Sequence, residues 1–349
     1  MNCKKCFMTD ARPGSVFEDG VCGACRNYER RKEIDWVKRD LALGEILSRF
    51  RSKSGYDMII PVSGGKDSHR LVDEMVGRGM HPLLVTVNDS FTKTSAGVRN
   101  LANLLSFYNL NQWCYTISHD LFVRATRWAF EQTGEALKFV EYAIYTVPFM
   151  LAKALNIGLV MYGENAAYEY GTTDHDDYVA NPQINSLLRK IEDEREWWNI
   201  GGINDDELDS IMTEPADYPL VLYMSYFIPW SSIDNYKMAK KVGFKDLDGE
   251  WDRVGTIENF EQIDSQAYMI HLWLKYPKFG FQRVSDIASR RVREGRLKLN
   301  EAQKAILEKD MMIDPIALND FCCTLGYTKD EFWDIVHNAE WNKFYRSRQ

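Results

Sequence analysis

The sequence predicts an α/β chain: a doubly wound parallel sheet, preceded by a small cysteine-bearing knuckle and followed by a mostly helical part. Three observations carry that prediction. Short apolar runs alternate with segments of helical spacing between residues 57 and 163. Four of the seven cysteines fall within the first 25 residues. From residue 258 onward, helical spacing takes over. The 349 residues divide accordingly into a knuckle (1–28), a connecting helix (29–56), a nucleotide-type domain (57–257, with a helical insertion at about 172–220) and a helical C-terminal part (258–349).

Composition excludes several classes. With 45% hydrophobic and 27% charged residues, the chain is neither disordered, coiled coil nor collagen-like. No apolar run approaches the ~20 residues that cross a bilayer, so no membrane insertion is expected. The start, Met1 to Cys6, lacks the apolar stretch of a secretory signal, and a cytoplasmic address is expected. A net charge of -8 argues against a protein that coats nucleic acid, because phosphate binding needs clustered positive charge.

Cys3-x2-Cys6 and Cys22-x2-Cys25 form two knuckles joined by a 15-residue connector. Two intervening residues let both thiolates of a pair turn toward one ion at about 2.3 Å, and two pairs supply the four sulfurs of tetrahedral zinc. Asp10, Pro13-Gly14, Asp19-Gly20 and Gly23 provide turn chemistry between them. A redox pair or an iron–sulfur site would use the same residue type, but the spacing favours a structural zinc ribbon. After it, Ile34, Val37, Leu41, Ile46, Leu47 and Phe50 recur at near-helical spacing and predict a helix over roughly 27–51.

The stretch Asp57 to Ser68 is the most informative. A short apolar run, Met58-Ile59-Ile60, reads as a buried strand; Ser63-Gly64-Gly65-Lys66-Asp67-Ser68 follows at once, and then a helical pattern through Leu71, Val72, Met75 and Val76. Strand, glycine loop, helix is the arrangement that makes an anion site. Glycine lets the backbone approach phosphate, and free N–H groups at the helix start face it. Lys66 adds a positive charge, Ser63 and Ser68 add hydroxyls, and Asp67 offers a direct or water-mediated Mg²⁺ ligand. The loop lacks the Gly-x4-Gly-Lys-Ser/Thr spacing of a Walker A motif.

Further strands are expected at Pro82–Val87, Gln112–Ser118 and Gly158–Gly163, with helices near 98–107, 120–132 and 140–155 between them. In such sheets ligands sit at the carboxyl ends of the strands. That rule gathers three loops: 63–68, 87–90 (with Val87 and Asn88 placed to meet adenine and ribose through their backbone) and 163–171. The third reads Gly163-Glu164-Asn165-Ala166-Ala167-Tyr168-Glu169-Tyr170-Gly171. Glu164 and Glu169 can hold Mg²⁺, orient an attacking amine or take its proton, although a plain polar loop would look the same. Helices are expected at 183–200, from Asp205, and from Pro229-Trp230-Ser231-Ser232 through Lys241, where Lys237 is a weak phosphate candidate. Leu220–Ile228 is a further apolar stretch. The segment 275–296 is locally basic, its arginines suited either to phosphate or to a solvated helix face. The six histidines share no metal spacing, and Asp174–Asp177 reads as a polar loop.

The loop resembles the PP-loop signature Ser-Gly-Gly-x-Asp-Ser of the N-type ATP pyrophosphatases, a superfamily that includes GMP, NAD and argininosuccinate synthetases and several tRNA-thiolating enzymes. Nearly the whole chain, on the cysteine pairs, the 63–68 loop, the 163–171 stretch, Ile228-Pro229-Trp230 and Lys278 to Arg296, is similar to the N-acetyl sugar amidotransferase family of bacterial lipopolysaccharide (O-antigen) and nonulosonic-acid pathways. The resemblance implies an adenine-nucleotide α-hydrolase-like fold and an AMP-forming carbon–nitrogen ligase using ATP, Mg²⁺ and Zn²⁺. Such an enzyme adenylates the acetamido oxygen of an N-acetyl sugar, free or nucleotide-activated, and replaces it with ammonia to give an acetamidino group. Gly163 and Arg283 join Ser63 to Ser68, Val87, Asn88 and Lys237 as implied cofactor contacts, and Lys66, Asp67, Glu164 and Glu169 as implied catalytic residues. Asp286 is drawn toward the site with Arg283. No glutaminase domain is visible, and Cys114, placed inside an apolar strand, and the helical pair Cys322-Cys323 occupy no nucleophile turn. The resemblance therefore implies a separate glutaminase with a barrel subunit of the imidazole-glycerol-phosphate-synthase type. A tRNA-thiolating enzyme is the alternative, and a zinc-ribbon scaffold with a degenerate nucleotide fold the non-enzymatic one.

Overall fold

The N-terminal knuckle is a short antiparallel ribbon, β1 (Phe17–Glu18) and β2 (Val21–Cys22), followed by α1 (Gly23–Arg30). In this computed structural model, residues 1–52, 55–172 and 178–346 are described. The polar loop Asp174–Asp177 lies outside them. The connecting segment is not one helix over 27–51. A 3₁₀ turn at Arg31–Glu33 separates α1 from α2 (Trp36–Ser48). The break falls where Asp35 accepts a hydrogen bond from the Lys38 N–H at 3.0 Å, so that its carboxylate starts a new helix instead of continuing the old one. Leu43 and Leu47 are the buried face of α2, whereas Val37 and Leu41 are exposed.

The central domain then runs β3 (Met58–Pro61), α3 (Lys66–Gly77), β4 (Pro82–Asn88), α4 (Ser95–Tyr108), β5 (Gln112–Thr116), α5 (His119–Thr133), α6 (Lys138–Ala154), β6 (Leu159–Tyr162), α7 (Ala166–Tyr170), α8 (Asn181–Asp193), α9 (Arg195–Ile200), α10 (Asp205–Asp209), β7 (Leu220–Tyr223) and α11 (Ser232–Lys241). The four expected strands are present. A fifth, β7, comes from the apolar stretch at 220–228. Four residues of continuous apolar character carry no period that separates strand from helix. The order β5-β4-β3-β6-β7 is parallel throughout.

Burial explains the doubly wound arrangement. Adjacent Ile59 and Ile60 are both fully buried but point to opposite faces, as the two-residue period requires. Ile60 packs with Leu43 and Leu47 of α2, Leu71 and Met75 of α3 and Leu104 of α4. Ile59 packs with Phe149 and Ala152 of α6 and Ile184 and Leu188 of α8. Edge strand β5 is more exposed, and Cys114 lies exposed on it, not inside an apolar strand. The strand order reverses at β3, and the carboxyl ends of β3, β4 and β6 converge on a crevice there.

The C-terminal part comprises α12 (Tyr268–Trp273), α13 (Lys275–Phe279), α14 (Arg283–Arg293), α15 (Leu299–Lys309), α16 (Pro315–Leu325), α17 (Lys329–Asn338) and α18 (Lys343–Arg346). It shares a core with the central domain. Phe130 of α5 lies 5.3 Å from Phe321 of α16 and 5.4 Å from Phe332 of α17, ring centre to ring centre. This shared core holds the segment after residue 254 against the sheet's carboxyl end. Among the described residues, no helix is long and apolar enough to cross a membrane.

Candidate active site

The loop Ser63–Ser68 leaves β3 at the reversal point and enters α3. Gly64 sits at φ +86°, and a Cβ there would come 2.9 Å from the Leu101 backbone nitrogen, so only glycine lets the loop lie this close to α4. Gly65 is the N-cap of α3 and gives it no side-chain cap, which leaves the first N–H groups available to an anion. His69, fully buried, secures the turn. Its Nδ1 lies 3.0 Å from the Gly65 carbonyl and must donate to it, so Nε2 accepts from the Asn103 amide at 3.3 Å. Burial lowers the histidine's pKa and keeps this neutral tautomer.

Lys66 is 4% exposed and sits between two carboxylates. Its Nζ lies 2.6 Å from Asp67 Oδ2 and 3.1 Å from Glu261 Oε1. Asp67 Oδ1 accepts from the Asn235 amide at 2.7 Å, so each Asp67 oxygen holds one hydrogen bond and retains a lone pair for a cation. A cavity of about 310 Å³ opens beside the loop, lined by Ser63, Gly65, Lys66, Asp67 and Ser68, by Val87 of β4 and Tyr162 of β6, and by residues 260–264 and Tyr268 of the C-terminal part. Asn88 is outside this lining, and its amide donates to Thr116 Oγ1 at 3.2 Å.

Glu164 and Glu169 do not line this cavity. They face a smaller one of about 40 Å³, between α1 and α14, with Trp230 as a further wall. Burial and the neighbouring Glu169 raise the Glu164 pKa well above the ordinary carboxylate range. Glu169 is held below it despite burial, by the Arg290 guanidinium 3.0 Å away and by a hydrogen bond with Glu164. The pair thus keeps one proton, on Glu164. Gly163 carries the ring of Trp230; a Cβ there would come 2.9 Å from it.

The C-terminal arginines are occupied by carboxylates. Arg283 pairs with Glu261 and donates to the Tyr170 hydroxyl at 2.9 Å. Arg290 reaches Glu261 at 2.5 Å as well as Glu169, and Arg291 donates to Glu258 at 2.6 Å. Asp286 pairs with Arg12 of the knuckle and lies 3.2 Å from Lys275. Lys237 is exposed, 3.8 Å from Asp234, and lines none of these cavities.

At this point the chain can be set beside known proteins. Residues 254–349 match the family model described as "LPS biosynthesis protein WbpG-like, C-terminal domain". No curated protein matches the chain. Among solved structures it is similar to the NMN synthetase from Francisella tularensis (12% identity, TM-score 0.36, covering 75% of this chain and 94% of that one). It is also similar to the NH3-dependent NAD synthetase from Campylobacter jejuni subsp. jejuni NCTC 11168 in complex with the nitrate ion (15% identity, TM-score 0.30, covering 64% of this chain and 100% of that one). The matched segment, 254–349, contains Glu261, which meets Lys66 of the phosphate loop, and Arg283 and Arg290, which pair with Glu261.

The four knuckle cysteines are buried together. Cys3 and Cys25 sulfurs lie 3.8 Å apart, Cys6 and Cys22 3.6 Å, and all four within 4.8 Å of one another. A tetrahedron with metal–sulfur bonds of ~2.3 Å needs sulfurs roughly 3.8 Å apart, so the set fits one tetrahedral ion. The knuckle is docked on this chain. Tyr170 and Val292 pack against the cysteines, and Arg293 donates to Cys6 Sγ at 3.7 Å. A Cβ on Gly23 would come 2.5 Å from the Gly171 carbonyl oxygen.

Glu261 and Asn235 escaped the sequence reading. Neither belongs to a motif, and each reaches the loop from far along the chain. Arg12, in the knuckle connector, likewise carried no signal for its partner Asp286.

Proposed function

We propose that this chain is an ATP-dependent amidotransferase of surface-polysaccharide synthesis. It converts the acetamido group of an N-acetyl sugar to an acetamidino group and releases AMP and pyrophosphate. The observation that carries this reading is the uncapped glycine loop at the sheet's reversal point, closed by a segment that matches an LPS biosynthesis domain.

An amide oxygen is a poor leaving group. In the first step it attacks Pα of ATP, the oxygen–phosphorus bond forms, and pyrophosphate departs from the Pα side. Ammonia then attacks the activated carbon, the carbon–oxygen bond to AMP breaks, and the nitrogen gives up a proton. Ser63, the N–H groups after Gly65, Lys66 and Ser68 hold the phosphates, with Val87 beside the nucleotide; Asn88 and Gly163, outside the cavity lining, are left out of this set. Asp67 would hold Mg²⁺, which lowers the charge on the departing phosphates. Arg283 shapes this wall through Glu261, and Lys237, which lines none of the cavities, has no part in it. Ionised Glu169 accepts the proton from the attacking nitrogen, and Glu164, which already carries the pair's one proton, orients that nitrogen. Cys3, Cys6, Cys22 and Cys25 would hold zinc, whose role would be to fix the knuckle that packs on α7 and α14. Ammonia comes from a separate glutaminase and barrel subunit. Among the described residues none of Cys114, Cys322 and Cys323 lines the loop cavity, which leaves the tRNA-thiolating alternative without its thiol.

The test is AMP formation by the purified protein with ATP, Mg²⁺, ammonium and a panel of free and nucleotide-activated N-acetyl sugars. Sugar-dependent AMP, lost in Lys66→Ala, is expected. No AMP with any acceptor, with or without glutaminase, would overturn the reading.

A further inference from the structure

A third cavity, of about 450 Å³, lies on the other side of Asn235 from the nucleotide pocket, within the usual size range of small-molecule sites. Its walls combine aromatic rings and guanidinium groups with two carboxylates: Tyr28 and Arg31 beside the knuckle, Trp36 at the start of α2, Arg70 of α3, Trp230, and, just after α14, Arg296, which pairs with the lining Asp234 and Glu294. We propose that this cleft is the acceptor site and that it takes an anionic ring compound, a sugar bearing a phosphate or a carboxylate. The proposal rests on the amidotransferase reading and adds where, and by what chemistry, the acceptor is held.

The cations are fixed in place. Arg70 leans on Glu74 at 2.7 Å, Arg296 on Asp234 at 2.9 Å, and Arg31 donates to the Trp230 carbonyl at 3.3 Å. A guanidinium carries five donors, so Arg70 and Arg296 keep others for oxygen anions after these contacts. Aromatic faces accept the apolar face of a sugar or a base. Trp230 adds an aromatic face. It is 8% exposed, and its ring is a wall shared by this cleft and the small cavity of Glu164.

Location supplies the second argument. Asn235, which lines the cleft, donates to Asp67 of the phosphate loop at 2.7 Å. Trp230 is also a wall of the small cavity that holds Glu164. The cleft therefore adjoins both the phosphate loop, through Asn235, and the carboxylate pair's cavity, through Trp230, the two places that the steps of the proposed reaction use. The modest volume and the net charge of -8 suit a small anion better than a polynucleotide.

Equilibrium binding to the full chain, without ATP, tests this by tryptophan fluorescence and calorimetry. The probes are uridine diphosphate, N-acetylneuraminic acid, uncharged N-acetylglucosamine and a single-stranded RNA oligonucleotide. At least one anionic probe is expected to bind, with N-acetylglucosamine markedly weaker. Uridine diphosphate alone identifies the anion as phosphate, and N-acetylneuraminic acid alone as carboxylate. Arg70→Gln and Arg296→Gln are each expected to weaken the anionic probe roughly tenfold, the effect of one charge-assisted hydrogen bond, with ATP affinity unchanged. Trp36→Leu provides an uncharged second variant with the same expectation. The proposal is overturned if no anionic probe binds, if RNA binds in preference, if the arginine variants bind normally, or if ATP or Lys66→Ala displaces the probe. Anion binding without AMP formation would defeat the amidotransferase reading and not the cleft. AMP formation with an acceptor KM unmoved by Arg70→Gln would defeat the cleft and not the reaction.

Discussion

Lys66 of the phosphate loop and Glu261 of the C-terminal segment form a buried ion pair, 3.1 Å apart, although no continuous element joins them. Glu261 also meets Arg283, Arg290 and the Ser232 hydroxyl, so one carboxylate at 5% exposure faces three cations. Removing one partner of such a group leaves uncompensated buried charge, a loss of about 3–5 kcal/mol. Glu261→Ala is therefore expected to lower the urea unfolding midpoint strongly, and Glu261→Gln less, since its amide oxygen still accepts hydrogen bonds. An unchanged midpoint in Glu261→Ala would show that Lys66 and the arginines find other partners.

How far the site can be read from sequence follows from how far apart its parts lie. The phosphate loop was legible because strand, glycines and helix are contiguous, and their order alone dictates an anion cradle. The cysteine set was legible because ligand spacing is a local property. Glu261, Asn235 and Arg12 were not, because each acquires its role only when distant segments meet over the sheet. The arginines of α14 show the opposite difficulty. Their sequence density suggests phosphate, but Arg283, Arg290 and Arg291 face Glu261, Glu169 and Glu258, which no local pattern places beside them. The fifth strand was missed because four apolar residues carry no period, while the break between α1 and α2 depended on the single cap at Asp35.

Knuckle docking depends on a backbone-to-backbone approach. Gly23 of α1 and Gly171 after α7 lie so close that a methyl group on Gly23 would come 2.5 Å from the Gly171 oxygen. Neither side is a flexible side chain that can swing away. Gly23→Ala is expected to cost about 1–3 kcal/mol, as overpacking does, and to loosen the knuckle first. Hydrogen exchange should rise at residues 1–30 and across α7, with the β3 and β4 amides still protected. Uniform protection in the variant would show that the knuckle shifts without loss.

The cysteine geometry predicts one bound ion per chain. Metal analysis of protein purified without chelator should give zinc near one equivalent, and Cys6→Ser should lose it. Because Arg293 donates to Cys6 Sγ, Arg293→Ala should weaken zinc retention without removing it, by roughly 10–100-fold as partners of metal ligands do. Competition with a coloured zinc chelator measures both. Iron with visible absorption in place of zinc would instead identify a cluster.

Glu164 gives a pH signature of definite sign. Its pKa in the folded chain is raised well above 4.5 by burial and by Glu169, so between the ordinary carboxylate value and the raised one the folded chain binds the extra proton. Stability must then fall as pH rises through that window, because the unfolded state binds fewer protons there. Glu164→Gln cannot ionise; it should remove that part of the decline and be at least as stable as the parent near neutral pH. Glu169→Gln should do the reverse, since the ionised Glu169 is what Arg290 pairs with, and its contribution is present above pH 4.5 and lost only in acid. Urea unfolding of the parent and both variants at a series of pH values between about 4 and 8 separates the two. If Glu169 is also the proton acceptor of the reaction, Glu169→Gln should lower kcat by ~10²–10⁴-fold at a pH where the variant is still folded. A Glu169→Gln variant with the altered stability profile and an unchanged kcat would keep the charge on Glu169 and remove it from the chemistry.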